Sequence, residues 1–399
     1  MYENLAILAV LVLLYSGLSG ALERTSFGGP LIFVAVGLLI GTDGLGLLDL
    51  GLEAEGLRLL AELTLALVLF SDAADADLAE LRRSEALPSR LLLIGLPATI
   101  ALGVLAGLLI FPELALLQIA LLATLHAPTD AALGKAVVSD ESVPGSIRTA
   151  LNVESGLNDG ICVPIFLAFL AMATEAAADQ GFAALTLGLL AREIGIGAAV
   201  GLALVAVTVP FMRFCVARGW FIEAWRHLPV PALAVACFAA AQSLGGSGFI
   251  ACFTGGLLFN VLAHDHKETW LVPGEAAADA LSLLTWVAFG AVVIGGVIDA
   301  LTWQVVAYAL LSLTVIRMAP AFLALIGSGL SVRQSLFIGW FGPRGLATIV
   351  FTVMLVDAEI PGADTIALTA TCTIILSVVA HGLTAKPLIR SLNGTSERT

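Results

Sequence analysis

Asn152-Val153-Glu154-Ser155-Gly156-Leu157-Asn158-Asp159 carries two full carboxylates, Glu154 and Asp159, inside a run built of Ala, Leu, Ile and Val. Read as a helix through Ile147 to Met172, it places both acids in the middle of a bilayer-spanning element. An acidic side chain at the bilayer centre costs roughly 2.5–3.5 kcal/mol on insertion scales, and ionisable groups kept at that depth mark ion or proton pathways. Upstream, Ala127-Pro128-Thr129-Asp130 adds a third acid beside a proline, inside another apolar run from Leu114 to Leu133. Proline donates no backbone hydrogen bond and interrupts the helix. The two stretches are expected to form one ion site.

Composition sets the class. Of 399 residues, 59% are hydrophobic and 12% charged, with a mean hydropathy of +1.02, against about 25% charged in an ordinary soluble domain. The chain reads as an all-α polytopic membrane protein. Runs long enough to span are counted at thirteen, near residues 5–18, 30–40, 57–71, 91–111, 114–133, 147–172, 183–212, 228–244, 249–262, 280–298, 303–326, 334–355 and 365–388. The five cysteines lie in or beside these runs without metal-ligand spacing and read as small buried hydrophobes. The first run follows Glu3 and no basic residue, so it is expected to be a retained helix and not a cleaved signal. The chain stops about eleven residues past the last run, so no soluble regulatory domain is expected.

Charge gives the orientation. With the N-terminus outside and the C-terminus inside, fourteen of the eighteen Lys and Arg residues fall on the cytoplasmic side, Arg82, Arg83, Lys135, Arg148, Arg213 and Lys267 among them. Arg58 and Arg192 lie near span ends, and Arg317 and Arg344 lie inside spans. The net charge of −13 comes with no basic patch for nucleic acid. If the seventh span is a linker, spans one to six and eight to thirteen enter from opposite sides, as in an inverted repeat. Broken helices at matching positions of two such halves point to a transport site. Ala127-Pro128-Thr129-Asp130 in the fifth span and Gly342-Pro343-Arg344-Gly345 in the twelfth occupy matching positions.

At about 100° per residue, Ser155 and Asp159 lie about 40° apart on a helix, as do Glu154 and Asn158, while Glu154 and Asp159 are about 140° apart. The two acids therefore face different neighbours. Arg317 is the deep cation available to Glu154, and the two are expected to form a structural ion pair. Asp159 is then left with Thr129, Asp130 and Ser155 around it. A buried, unpaired carboxylate is relieved either by a proton or by a hard monovalent cation held through oxygen ligands, so the two compete for one group. Hydroxyls of Thr129 and Ser155, and carbonyls freed around Pro128, would supply further oxygens.

These residues resemble the cation:proton antiporter family of the NhaP/NHE type: Thr129-Asp130 on a broken helix, Glu154-Ser155 and Asn158-Asp159 on the next, an Arg in the eleventh span and Gly-x-Arg-Gly in the twelfth. The resemblance covers nearly the whole chain. It implies an NhaA/NHE-like fold of inverted six-helix repeats with two broken crossing helices, and a homodimer. Residues 1–110 and 180–300 would contribute the dimerisation scaffold, and 57–173 and 280–390 most of the ion-translocating core. It also implies Asp159 as principal Na+ and proton ligand, Thr129, Asp130 and Ser155 completing the shell, and Asn158 stabilising it. Pro128, Pro343 and Arg344 would mark the helix breaks or gate. In that family Asn followed by Asp accompanies electroneutral exchange.

The function expected is electroneutral exchange of one sodium or lithium ion for one proton across the cell membrane, without cofactor or enzymatic chemistry. Potassium/proton exchange is the alternative, and proton- or sodium-coupled symport of an organic anion a more distant one. His126 precedes the first break where a small residue is expected, and reads as a packing histidine or a pH-tuning one. Asp72, Asp75 and Asp77 read as a solvated helix end, with a cation-gathering funnel as the other reading. His264, Asp265 and His266 read as a polar loop in preference to a metal site.

Overall fold

A computed structural model of the protein describes residues 2–22, 28–48, 54–76, 87–177, 184–263, 267–294, 297 and 300–393. All regular elements among the described residues are helical. Seven helices are long and apolar enough to cross a membrane, and five shorter apolar helices accompany them.

The first half contains α1 (Tyr2–Leu22), α2 (Gly29–Ile40), α3 (Ala54–Asp75) and α4 (Leu87–Ile110). After them come α5 (Leu116–Leu125), α6 (Ala131–Val138) and α7 (Gly145–Ala177). Then follow α8 (Ala184–Ala217), α9 (Pro229–Ser243), α10 (Gly248–Leu262) and α11 (Lys267–Ala288). The last group is α12 (Trp303–Leu313), α13 (Val315–Ala324), α14 (Val332–Trp340), α15 (Leu346–Asp357) and α16 (Ala363–Asn393).

Burial is arranged for lipid. Leu109 is 83% exposed and Val207 70%, whereas Thr64, Thr124, Thr348 and Thr369 are 0% exposed. Hydroxyls inside and leucines outside suit a hydrocarbon solvent, in which each buried hydroxyl must find an internal acceptor. Thr64, Thr124 and Thr369 do so along their own helices, Thr124 by donating to the Ala120 carbonyl at 2.7 Å, and Thr348 donates to the Leu125 carbonyl of α5 at 3.0 Å.

Several spans depart from the expected uninterrupted helices. The helix carrying Glu154 and Asp159 is longer than the expected Ile147 to Met172. It begins at Gly145 because the Pro144 carbonyl accepts the N–H groups of Ile147 and Arg148, and it runs through Pro164 to Ala177. The run 303–326 is interrupted at Thr314, whose backbone adopts φ −109° and ψ −95°. The Thr314 hydroxyl donates to the Leu310 carbonyl at 2.6 Å. Such back-bonding competes with the helical ladder and bends it. Arg317 thus sits in the first turn of α13 and not in mid-helix. A π-helical turn at Leu91–Gly95 likewise perturbs α4.

Candidate functional site

The fifth and twelfth runs break where the prolines fall. α5 stops at Leu125 and α6 restarts at Ala131; α14 stops at Trp340 and α15 restarts at Leu346. The two gaps meet. The Asp130 N–H donates to the Pro343 carbonyl at 2.8 Å. One Asp130 carboxylate oxygen caps α6 by accepting from Leu133 N–H at 2.8 Å, and the other accepts from Leu346 N–H at 2.7 Å. A single carboxylate therefore binds the positive N-terminal ends of both second half-helices, the place where the helix dipole favours an anion. Gly345 is needed for this approach, since a Cβ there would overlap the Asp130 carboxylate.

Arg344 serves the opposite ends. It is 0% exposed, and its Nη1 donates to the carbonyls of Ala127 and Pro128 at 2.7 and 2.8 Å. These carbonyls follow the C-terminal end of α5, where a cation is favoured. Arg344 neither snorkels to a surface nor lines the cavity described below.

α7 holds the remaining predicted residues. Asn158 clamps Thr129 twice: its Oδ1 accepts from Thr129 N–H at 3.3 Å and its Nδ2 donates to Thr129 Oγ1 at 2.6 Å. Thr129 Oγ1 and Ser155 Oγ lie 3.0 Å apart. On the other side of α7, Arg317 donates from Nη1 and Nη2 to the two Glu154 oxygens at 2.5 and 2.7 Å, both side chains being 2% exposed. Asp159 is left over. It is 6% exposed, and its Oδ1 is buried with no hydrogen-bond partner among the described residues.

Asp159 lines a cavity of about 260 Å³ between α3, α6, α7 and α11, together with Asp130, Asp72, Ser282 and Trp286. Asp72 approaches α7 at Gly156, where a Cβ would lie 3.3 Å from the Asp72 Cβ. Asp72 is therefore a wall of the cavity, a correction to its reading as part of a solvated helix end. Asp75, one turn on, is exposed and pairs with Lys267 at 3.2 Å, while Asp77 lies outside the described residues. Asp75, Glu275, Asp279 and Lys135 surround the mouth, where Lys135 and Asp279 form a 3.0 Å pair with side chains 64% and 56% exposed. The far end of α3 lies about 25 Å away at 1.5 Å per residue. There Arg58 bridges Glu62 at 2.7 Å and Asp357 of α15 at 2.5 Å. The cavity lining reaches the exposed Lys135–Asp279 pair and includes none of Arg58, Glu62 and Asp357.

His126 is 2% exposed and outside the cavity lining. Its Nδ1 is 2.7 Å from the Leu122 carbonyl and its Nε2 3.0 Å from Thr373 Oγ1. The carbonyl requires a donor, which places the proton of a neutral ring on Nδ1. His264, Asp265 and His266 lie outside the described residues. Sequence reasoning passed over α16 altogether. Thr369, Thr373, Ser377 and His381, each four residues apart and 0–1% exposed, form one polar face within an apolar helix, and that spacing was the available signal.

Interrupted helices that cross within an all-helical, multi-pass membrane protein define the fold of a secondary transporter. The transmembrane family of sodium/hydrogen exchangers matches residues 7–391, and the chain belongs to that family. Its relatives include the K(+)/H(+) antiporter NhaP2 of Shewanella baltica (strain OS223), 25% identical over 88% of this chain and 60% of the relative. The K(+)/H(+) antiporter NhaP of Alkalimonas amylolytica is 25% identical over 98% of this chain and 67% of the relative. A Na(+)/H(+) antiporter of Schizosaccharomyces pombe is 24% identical over 60% of this chain and 54% of the relative. The chain thus spans about 60–67% of the length of the two bacterial relatives. In fold it is similar to the sodium proton antiporter MjNhaP1 from Methanocaldococcus jannaschii, with a TM-score of 0.78 at 20% identity, covering 96% of this chain and 99% of that one.

Proposed function

We propose that this chain exchanges one monovalent cation for one proton, without net charge movement, by alternating access at Asp159. The observation that carries the reading is Asp159 Oδ1, a buried carboxylate oxygen with no hydrogen-bond partner among the described residues, at a cavity lined by further acids. A carboxylate so placed is relieved by a proton or by a cation, one at a time. The charge-compensated forms cross; the bare carboxylate, an uncompensated charge in a low-dielectric barrier, does not. Thr129 and Ser155 stand ready as oxygen ligands, Asn158 fixes Thr129, and Glu154 with Arg317 holds α7 against α13. Asp130 and Arg344 neutralise the facing helix ends.

The reading includes thirteen crossings with the N-terminus outside, on the strength of the basic loops, and a homodimer. The cavity then faces the cytoplasm and the Arg58 cluster seals the outside. Sodium with lithium is the first reading of the cation. Potassium is the second, favoured by the names of the bacterial relatives, since both ions take the same oxygens.

The test is cation-induced dequenching of a pH-sensitive dye in proteoliposomes, with sodium, lithium or potassium, with and without an imposed membrane potential. Exchange in wild type, its absence in Asp159→Asn and indifference to potential are expected. Undiminished exchange in Asp159→Asn refutes the site, and a rate that follows potential refutes the one-for-one stoichiometry.

A further inference from the structure

We propose that Ser377 and His381 of α16 are positioning residues for the second helix break, performing there the task that Asn158 performs at the first. The inference deepens the antiport reading and rests on it.

The backbone N–H that follows each proline is the group most exposed by the break, because helical hydrogen bonding has stopped and water is scarce at that depth. At the first break it belongs to Thr129, after Pro128, and is taken up by Asn158 Oδ1 of α7 at 3.3 Å. At the second it belongs to Arg344, after Pro343, and is taken up by Ser377 Oγ of α16 at 2.7 Å. Each break is thus held by a buried side chain of the long helix that follows it in the chain. Ser377 differs from Asn158 in having one hydroxyl, whose own proton needs an acceptor.

His381 supplies it. Its Nδ1 lies 3.2 Å from Ser377 Oγ and 2.9 Å from the Ser377 carbonyl, and its Nε2 lies 2.9 Å from the Trp340 carbonyl, which also accepts from Gly342 N–H at 2.8 Å where α14 ends. A neutral ring with its proton on Nε2 completes a chain of bonds across the break. Arg344 N–H donates to Ser377 Oγ, the Ser377 hydroxyl donates to His381 Nδ1, and Nε2–H donates to Trp340. The other neutral tautomer donates from Nδ1 to the Ser377 carbonyl and gives up the bond to Trp340, so the first is the one that joins Ser377 to α14. Both residues are buried, Ser377 at 0% and His381 at 1% exposure, so no solvent substitutes for a missing member. The indole N–H of Trp340 donates to Thr384 Oγ1 of the same helix at 3.0 Å, closing the clamp on that turn.

What the clamp positions reaches the ion site in two bonds. The segment 341–345 presents the Pro343 carbonyl to Asp130 N–H, and the Arg344 side chain to the carbonyls of Ala127 and Pro128 within the first break. A displaced second break therefore moves Thr129 and Asp130 relative to Asp159. Loss of Ser377 or His381 should weaken cation binding more than it lowers the maximal rate, since the exchanging carboxylate itself is untouched.

The experiment is the dye assay on Ser377→Ala, His381→Leu, His381→Gln and the double variant Ser377→Ala/His381→Leu, with rates normalised to folded protein in the vesicles. Val379→Ala, which is 42% exposed on the outer surface of the same helix, is the control. Ser377→Ala and His381→Leu are each expected to raise the half-saturating cation concentration about five- to tenfold, the factor matching one net hydrogen bond. The double variant should be no worse than the worse single, because both belong to one chain of bonds. His381→Gln, which keeps a donor and an acceptor, should recover most of the affinity. The control should match wild type. If His381→Leu does not fold, Ser377→Ala, a loss of one oxygen, decides alone. Unchanged half-saturation with a maximal rate that falls only with the amount of folded protein overturns the proposal. Wild type that exchanges no cation for protons overturns the antiport reading and this proposal together, an outcome distinct from working wild type with unaffected variants.

Discussion

Breaking the Glu154–Arg317 pair tests whether α7 is held by charge or merely by packing. Both side chains are 2% exposed, and the guanidinium meets the two carboxylate oxygens through separate nitrogens at 2.5 and 2.7 Å. Removing one partner of such a pair strands a buried charge and costs about 3–5 kcal/mol. A single neutral side-chain hydrogen bond between membrane helices averages only about 0.6 kcal/mol. Folded proteins are stable by about 5–15 kcal/mol in total, so Glu154→Gln or Arg317→Ala alone should lower folded yield sharply. The double variant Glu154→Gln/Arg317→Met removes both charges and keeps an unbranched, flexible side chain in place of the arginine stem. Since Arg317 Nε has no hydrogen-bond partner among the described residues, the methionine forfeits no bond at that position. It should regain most of the stability, leaving a coupling of at least about 2 kcal/mol between the sites. The measurement is the fraction of monodisperse protein surviving a heating series, followed by gel filtration in detergent, for wild type, both singles and the double. The reasoning is refuted if each single costs less than about 1 kcal/mol, or if the double costs the sum of the singles. Folded double variant should still exchange cations for protons, because neither residue lines the cavity.

Other outcomes follow from the same geometry. Asp72→Asn should fold normally and raise the half-saturating cation concentration severalfold in the dye assay, because one wall of the cavity loses its charge; wild-type affinity would return Asp72 to a bystander. Gly345→Ala should lose transport and heat stability together, since its Cβ overlaps the Asp130 carboxylate, and an active, stable Gly345→Ala would contradict the crossing as described. Arg58→Ala should change stability by less than about 1 kcal/mol, the pair being 43% and 31% exposed. It should nonetheless speed hydrogen–deuterium exchange at residues 353–358 if the cluster seals that face. In the loop before α7, hydrogen bonds from the Ser142 hydroxyl and N–H hold the Asp140 carboxyl below its ordinary pKa. Its contribution is complete above about pH 4 and is lost as pH falls through the lowered value. Ser142→Ala should therefore leave the rate profile between about pH 6 and 9 unchanged and hasten inactivation only in stronger acid.

How much of this was legible in the sequence depended on how local the cause was. Pro128 and Pro343 announce the breaks because a missing N–H is a property of one residue. The grouping of Ser155 with Asp159 and Glu154 with Asn158 follows from helical spacing alone, and it separates the acid that Arg317 reaches from the one it does not. What failed was non-local. Asp72 stands at the end of a helix whose next residues are charged, and in sequence it cannot be told from a solvated terminus. Only the close approach of α3 to Gly156 turns it inward. The interruption at Thr314 has no proline or glycine to mark it; it rests on one hydroxyl bonding backwards. Ser377 and His381 were readable as a polar face, but their partners lie 33 and 41 residues upstream.

The charge balance of the site comes out differently once Asp130 is placed. A second titrating carboxylate beside Asp159 would add a second proton to each cycle, and Asp130 lies in the same cavity. Both of its oxygens, however, accept backbone N–H groups from the facing helix ends. Asp130 therefore has a structural task, joining the two helix ends, that Asp159 does not share. Arg344, bound to the carbonyls of the opposite ends, balances Asp130, and Arg317 balances Glu154. The two basic and two acidic residues cancel within the scaffold of the site. Asp159, Asp72 and Asp130 line the cavity together, and of these Asp159 has the buried oxygen without a hydrogen-bond partner among the described residues. Exchange without net charge therefore requires that Asp72 and Asp130 each keep one protonation state through the cycle. The Asp72→Asn variant should remain indifferent to membrane potential while losing affinity; a rate that becomes potential-dependent would mean that Asp72 carries a proton of its own.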